Sequence, residues 1–338
     1  MKKRTLVMIL SVLSVMACSC IVFCYYLMSH PFRSAHLIYV DADDTVDSVY
    51  VKLEKNLQPS CLTGLKWMVA LKGYSVRTGA YRLGPEVSSL TAYRTLANGH
   101  QTPVNLVIPS VRTLEQLART VSRQIMADSA NIASLLNDSA LCAGLGYTSE
   151  TLPALFIPNT YQVYWNMSPK NLMERMRKEH MRYWTEERRM KAQKLGLTEI
   201  EVSTLASIVE EETAVNAEKP MVAGLYLNRL KKGMPLQADP TIKFALREFG
   251  LKRILYKHLE VESPYNTYKY PGLPPGPIRI PSISGLESVL NPASHGFLYM
   301  CAKEDFSGTH NFAVTLSQHA VNARRYQAAL NKWQRTHK

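Results

Sequence analysis

Several common catalytic signatures are missing from this 338-residue sequence. It has no HExxH and no CxxC pair, which excludes zinc sites built on a helical His pair or on paired thiols. It has no Gly-rich phosphate-binding loop and no GxSxG elbow, so nucleotide-cradling loops and the hydrolase nucleophile turn are excluded too. Cysteine is sparse. Cys18, Cys20 and Cys24 fall in one apolar stretch, and Cys61, Cys142 and Cys301 stand far apart. Such spacing is no disulfide framework, although a single bridge stays open. Low-complexity runs and repeats are absent. Acidic residues are outnumbered, 27 against 40 Lys and Arg, giving a formal charge of +13. The basic residues are scattered apart from short groups such as Arg188-Arg189 and Lys231-Lys232. With no accompanying nucleic-acid motif, no nucleic-acid partner is expected.

What is present begins with an uncharged apolar run from Leu6 to Met28, preceded by Lys2, Lys3 and Arg4. About 20 helical residues cross a bilayer. The basic flank predicts a cytoplasmic tail, residues 1–5, a plasma-membrane helix over 6–28, and the bulk of the chain outside. Tyr25 and Tyr26 sit where interfacial aromatics belong. Ala17-Cys18 offers a rival lipoprotein-like cleavage site, but apolar residues continue past it, so an uncleaved anchor is expected.

The remainder reads as α+β. His36–Val40 and Gly79–Leu83 read as strands enclosing two helices, one capped by Asp43 or Asp44 and one from Cys61 to Lys72. A helix from Ser88 to Ala97, a strand over Val104–Ile108, a helix from Thr113 and a helical hairpin or connector between Ala127 and Thr151 follow. Lys170 to Leu195 reads as one long charged helix. Asn216 is expected to cap a helix carrying Val222, Leu225 and Tyr226, and Asp239 to cap the next, with Pro240 at its first position. A hairpin, Phe297–Ala302 with His310–Val314, precedes a last helix over Leu316–Lys332.

One segment stands out chemically. Thr198 and Glu201 form a capping box, opening a helix with an apolar stripe through Leu205, Ile208 and Val209. Glu210, Glu211 and Glu212 end it. Consecutive helical residues point about 100° apart. Glu212 lies three, four and seven residues after Val209, Ile208 and Leu205, so it alone continues the stripe. A carboxyl on a buried face has its neutral form favoured, as a general acid near neutral pH requires. The competing reading is a helix-end Glu paired with a buried Arg or Lys. Further on, Tyr265-Asn266-Thr267-Tyr268 groups aromatics with hydrogen-bonding side chains, a set suited to sugar rings edged by hydroxyls or equally to a packed loop.

Taken in order, Gly79-Ala80-Tyr81-Arg82, Pro158-Asn159-Thr160-Tyr161, Leu205 to Thr213, Asn228-Arg229-Leu230, Leu236 to Thr241, Tyr265 to Tyr268 and Gly272 to Ile278 resemble the MltG/YceG-like endolytic murein transglycosylases. The resemblance covers nearly the whole chain. It implies an anchor helix, a small LysM-like α+β module over 35–103, a connecting subdomain over 104–155 and a mixed α/β catalytic domain over 156–338. It implies cleavage of the MurNAc-β-1,4-GlcNAc bond within nascent peptidoglycan strands, leaving 1,6-anhydro ends, with Glu212 as acid and then base. The expected glycan-holding residues are Asn228, Gln237, Asp239, Tyr265, Asn266 and Tyr268. No metal or cofactor is implied, and wall synthases are the implied protein partners. Three positions depart from the family's pattern: Asn159 stands where Asp is usual, Glu211 where Lys is frequent, and Arg279-Ile280-Pro281-Ser282 where an Ala-Asn-Pro-Gly-like stretch is usual. The alternatives are a non-cutting peptidoglycan-binding scaffold and an anchored glycoside hydrolase using Glu212 with Asp239.

Overall fold

A computed structural model describes residues 2–251 and 253–336. It is mixed helix and strand, the expected α+β class, and divides into two compact units. The first takes in the chain through Leu106 together with 124–127 and 162–167, and the second holds the rest.

The first unit opens with helix α1, Lys2–Met28. An 18-residue stretch of it reaches a mean hydropathy of 2.7, and with 26 residues from Lys3 it is long and apolar enough to cross a membrane. Ser11 and Ser19 turn their hydroxyls back onto the carbonyls of Val7 and Val15, so both are satisfied within the helix. Then come β1 (His36–Val40), α2 (Val46–Leu57), α3 (Thr63–Lys72), β2 (Gly79–Leu83), α4 (Ser89–Asn98) and β3 (Val104–Ile108), whose last two residues are counted in the second unit. β1 and β2 pair antiparallel, His36 opposite Leu83 through Val40 opposite Gly79. Their inward residues Ile38, Val40, Tyr81 and Leu83 close on Val49, Leu53 and Leu57 of α2 and Leu65 of α3. The strand, helix, helix, strand order read from the sequence is present. The cap of α2 differs: Thr45 and Ser48 form the capping box, while Asp44 accepts from the Ser48 hydroxyl and Lys52.

The second unit contains α5 (Leu114–Ser122), the hairpin α6 (Ser129–Leu136) and α7 (Ser139–Gly144), and a short 3-10 turn over Leu152–Leu155. β4 (Asn159–Val163), whose last two residues are counted in the first unit, is a strand that sequence patterning missed. The single long helix expected over 170–195 is two, α8 (Pro169–Tyr183) and α9 (Glu186–Leu195). Trp184 causes the break. It is fully buried, its ψ of 75° leaves the helix, and the Thr185 hydroxyl caps α9 by accepting from the Arg188 amide. α10 (Glu199–Glu212) opens on the expected Thr198–Glu201 capping box. α11 (Lys219–Lys231) follows. Asn216 does not cap it: α11 starts after Glu218 without a side-chain cap, and Asn216 accepts from Ser284 instead. α12 (Asp239–Leu246) starts behind Ala238, so Asp239 is its first helical residue rather than its cap. α13 (Tyr256–Leu259), α14 (Ile283–Leu290), the antiparallel hairpin β5 (Tyr299–Ala302) with β6 (His310–Ala313), and α15 (Leu316–Thr336) complete the unit.

α10 is the hub. Every residue from Val202 to Val209 is buried, because α11, α12 and α14 all pack on it. Gly285 of α14 allows the approach: a Cβ there would lie 2.7 Å from a carboxylate oxygen of Glu210. The buried stripe leads directly into the three carboxylates at the helix end.

Candidate active site

The three consecutive glutamates have three separate environments. Glu210 accepts from the buried Lys219 ammonium at 2.9 Å and from the Ser282 hydroxyl at 2.6 Å. Glu211 is held by two guanidinium groups, taking Arg112 in a bidentate grip at 2.7 and 2.9 Å and Arg279 at 2.9 Å. These two fit the ion-paired reading of a helix-end Glu. They are also short, charge-assisted contacts that fix the end of α10. Two of the departures from the family's pattern, Glu211 and Arg279, are thus partners of one another.

Glu212 has no cationic partner among the described residues. Its Oε1 accepts from the Tyr226 hydroxyl at 2.6 Å. It keeps partial access to a cavity of about 260 Å3, while the protein packed around it penalises charge. Burial is the largest influence and pushes its pKa up to about 7. The Tyr226 hydrogen bond pulls the other way, the nearby Asp239 carboxylate raises it further, and His310 and Lys243 oppose. A carboxylic acid poised there can both give and take a proton near neutrality.

The walls come from four segments. α11 supplies Leu225, Tyr226 and Arg229, and the stretch before α12 supplies Leu236 and Gln237. Asp239 and Tyr268 face the cavity as a pair, the tyrosine hydroxyl donating to Asp239 Oδ1 at 2.5 Å. Met300, Cys301, Ala302 and His310 of the hairpin close the far side. Arg229 is buried, and its guanidinium is occupied by the carbonyls of Leu298, Pro235 and Leu236 and by Gln237 Oε1. It ties α11, the 235–237 stretch and the hairpin together. Gln237 has φ of 51°, a conformation uncommon for a side-chain-bearing residue. Its amide N–H is pinned to the Thr267 carbonyl, and the Thr267 hydroxyl accepts from Ala238.

Of the residues singled out in the sequence, Glu212, Gln237, Asp239 and Tyr268 therefore meet at one cavity. The other three sit elsewhere. Asn228 spends its amide on the carbonyls of His295 and Phe297. Asn266 is fully buried and donates to the carbonyls of Leu259 and Val261 while accepting from the Tyr268 amide. It builds the loop that presents Tyr268. Tyr265 stacks obliquely on Phe244, 4.7 Å between ring centres, and lines a different cavity.

Tyr226 and His310 also line the cavity, and the sequence reading singled out neither as a site residue; Glu218 holds His310. Glu218 is buried and accepts from both the His310 amide, at 2.7 Å, and His310 Nδ1, at 2.9 Å. The pair is 92 residues apart, so no local spacing signals it. Tyr226 belongs to an apolar helix stripe and reads as core until its hydroxyl is seen to meet Glu212.

A profile of the YceG-like family matches residues 38–325. A Bacillus subtilis protein named endolytic murein transglycosylase is 43% identical over 129 residues, 38% of this chain and 35% of that protein. A Streptococcus pneumoniae protein of the same name is 27% identical over 266 residues, 68% of this chain and 47% of its own length. The chain thus spans less than half the length of these curated relatives. The crystal structure of a YceG-like protein from Listeria monocytogenes superposes with a TM-score of 0.58 at 26% identity, covering 85% of this chain and 98% of that one. With the family profile extending over most of its length, the chain belongs to the YceG-like family.

Proposed function

We propose that this protein is an endolytic peptidoglycan lytic transglycosylase, held to the plasma membrane by α1 with its second unit on the outer side. The observation that carries the reading is Glu212, the member of a three-glutamate run left without an ion pair, set in a cavity with its pKa raised to about 7. The names of the curated relatives support the substrate class.

The step needs one carboxyl group. Protonated Glu212 gives its proton to the oxygen bridging MurNAc and GlcNAc, and the C1–O bond breaks with its electron pair leaving on that oxygen. The resulting carboxylate takes the proton from the muramoyl 6-hydroxyl as that oxygen bonds to C1. The products are a free GlcNAc 4-hydroxyl and a 1,6-anhydro end, and Glu212 is again protonated. Ordinary glycosidases use a second carboxylate to attack or to activate water. Here the substrate supplies the nucleophile. The Tyr226 hydroxyl steadies the carboxylate between the two transfers. Gln237, Asp239, Tyr268 and His310 are the groups that face the sugar. Asn228 and Asn266 act through the loops they hold, and the β1–α2–α3–β2 module serves as a LysM-like unit. Cutting near the membrane suits a role in ending glycan elongation beside wall synthases.

Asp239 gives a second reading some footing, because it faces the same cavity as Glu212. A hydrolase using both carboxylates leaves a reducing end. Mass spectrometry of products from purified sacculi separates the two. Anhydro-muramoyl ends, absent with Glu212→Gln, are the expected result. Reducing ends point to the hydrolase, and no products from a folded wild-type chain point to a scaffold.

A further inference from the structure

Away from the candidate active site, α1 and α3 enclose an open apolar notch of about 510 Å3, lined by Ser19, Cys20, Phe23, Trp67, Ala70 and Leu71. Two observations show that the junction is built rather than incidental. Phe23 stacks on Trp67 at 5.6 Å and 22°, and Tyr26 meets the same indole edge-on at 5.4 Å. Gly64 lets the backbones touch, since a Cβ there would lie 2.1 Å from the Tyr26 carbonyl oxygen. The end of α1 is also tied to the start of α4 through the Ser89 amide and the Ser29 carbonyl at 3.0 Å.

The pairing sets the direction of α3. Gly64 lies against Tyr26, Trp67 against Phe23, and Ala70 and Leu71 share the notch with Ser19 and Cys20. α3 therefore runs back alongside the apolar helix. Ser19 lies about 9 Å below Tyr25 along the axis, six residues at about 1.5 Å each. Tyrosines mark the membrane boundary, so the second half of α3 falls within the zone, roughly 5–10 Å deep, that interfacial helices occupy. Its surface agrees. Leu71 is 68% exposed and Ala70 is exposed, while Met68 and Leu65 are given to the module's own core. Lys72 is exposed at the end of α3, with a stem long enough to reach the headgroups, while Lys66 turns to α2, over the Tyr50 ring and 3.8 Å from Glu54.

We propose that the second half of α3 is embedded in the outer leaflet, and that the notch between α1 and α3 is filled by a lipid acyl chain. This rests on the reading of α1 as the membrane anchor. A bilayer is the occupant because the notch is continuous with the lipid-facing side of α1. With α1 and α3 both in contact with lipid, the first unit is held at a fixed tilt to the membrane rather than hung from a flexible tether.

The test uses the full chain in vesicles of three parts phosphatidylcholine to one part phosphatidylglycerol. The phosphatidylcholine is brominated near the carbonyl end of one chain. Flotation establishes insertion, and bromine quenching reads tryptophan depth. The chain has four tryptophans. The wild type is expected to lose the share of emission carried by Trp67. Trp67→Phe should show no bromine quenching, and adding Leu71→Trp to it should restore the quenching. If the chain floats but wild type and Trp67→Phe are quenched equally, the embedding is overturned and the anchor stands. A chain that does not float overturns both. Should Trp67→Phe fail to fold, the Leu71→Trp single variant keeps the Phe23–Trp67 stack intact. Added quenching in that variant supports the embedding, and unchanged quenching overturns it.

Discussion

The module built from β1, α2, α3 and β2 and the region around α10, α11 and α12 solve burial in different ways. The module closes an almost wholly apolar core: Ile38, Val40, Leu53, Leu57, Tyr81 and Leu83 are all inaccessible. The α10 region buries ionic and polar side chains beside its apolar ones, among them Lys219, Glu218, Arg229, Thr241 and Asn266. The first arrangement is dictated by periodicity along the chain. The second depends on which charge finds which partner, and so on contacts far apart in sequence. The second leaves Glu212 without a cationic partner among the described residues, and the proposed reactivity rests on that.

Substitutions in each region put this contrast at risk. The largest stability loss should come from the apolar module. Leu53→Ala removes a fully buried side chain, and unfolding by denaturant should show a loss of about 2–5 kcal/mol. Glu212→Gln should act with the opposite sign. The folded state raises the Glu212 pKa from 4.5 to about 7, so ionising it in the fold costs stability above that range. At about pH 8 the Gln variant should be more stable than wild type by as much as about 3 kcal/mol. At about pH 4 both forms are neutral and the difference should vanish. A gain that persists at low pH would contradict the role given to burial. Glu211→Gln should instead destabilise by about 2 kcal/mol, because it leaves Arg112 and Arg279 facing one another without their shared carboxylate. High salt should reduce that loss. The smallest effect concerns Tyr226→Phe. Its hydroxyl favours the charged form of Glu212, so its removal should raise the alkaline limb of the pH–rate profile by about 1 unit. A downward shift would show that the hydroxyl does not act on Glu212.

The same division explains which elements are legible in the sequence. The module's strands and helices follow from their hydrophobic periodicity, and the structure places them at nearly the expected bounds although the α2 cap is Thr45. α10 is equally legible, because the capping box and the stripe are both local. The break at Trp184 is less so, since the Thr185 cap lies within a charged helical run and the burial of Trp184 in the core is not visible along the chain. Glu212 is distinguishable from its neighbours by phase alone. That phase does not reveal how the neighbours are neutralised, because Lys219, Arg112 and Arg279 come from three other segments. Asn228 and Asn266 look like ligands for a sugar in one dimension. In three dimensions their amides are spent on backbone carbonyls. His310 requires the hairpin to return it to the cavity and Glu218 to orient it.

The central claim is the difference among the three glutamates. Glu210→Gln, Glu211→Gln and Glu212→Gln should be prepared as folded full-length chains, checked by near-UV circular dichroism, and incubated side by side with purified sacculi. Anhydro-muramoyl ends should be counted by mass spectrometry. The first two are expected to retain cleavage within about tenfold of wild type, and Glu212→Gln to lose a factor of about 10²–10⁴, the range for a general acid. Wild-type cleavage by Glu212→Gln, or an equal loss in a folded Glu210→Gln or Glu211→Gln, would contradict the assignment of Glu212.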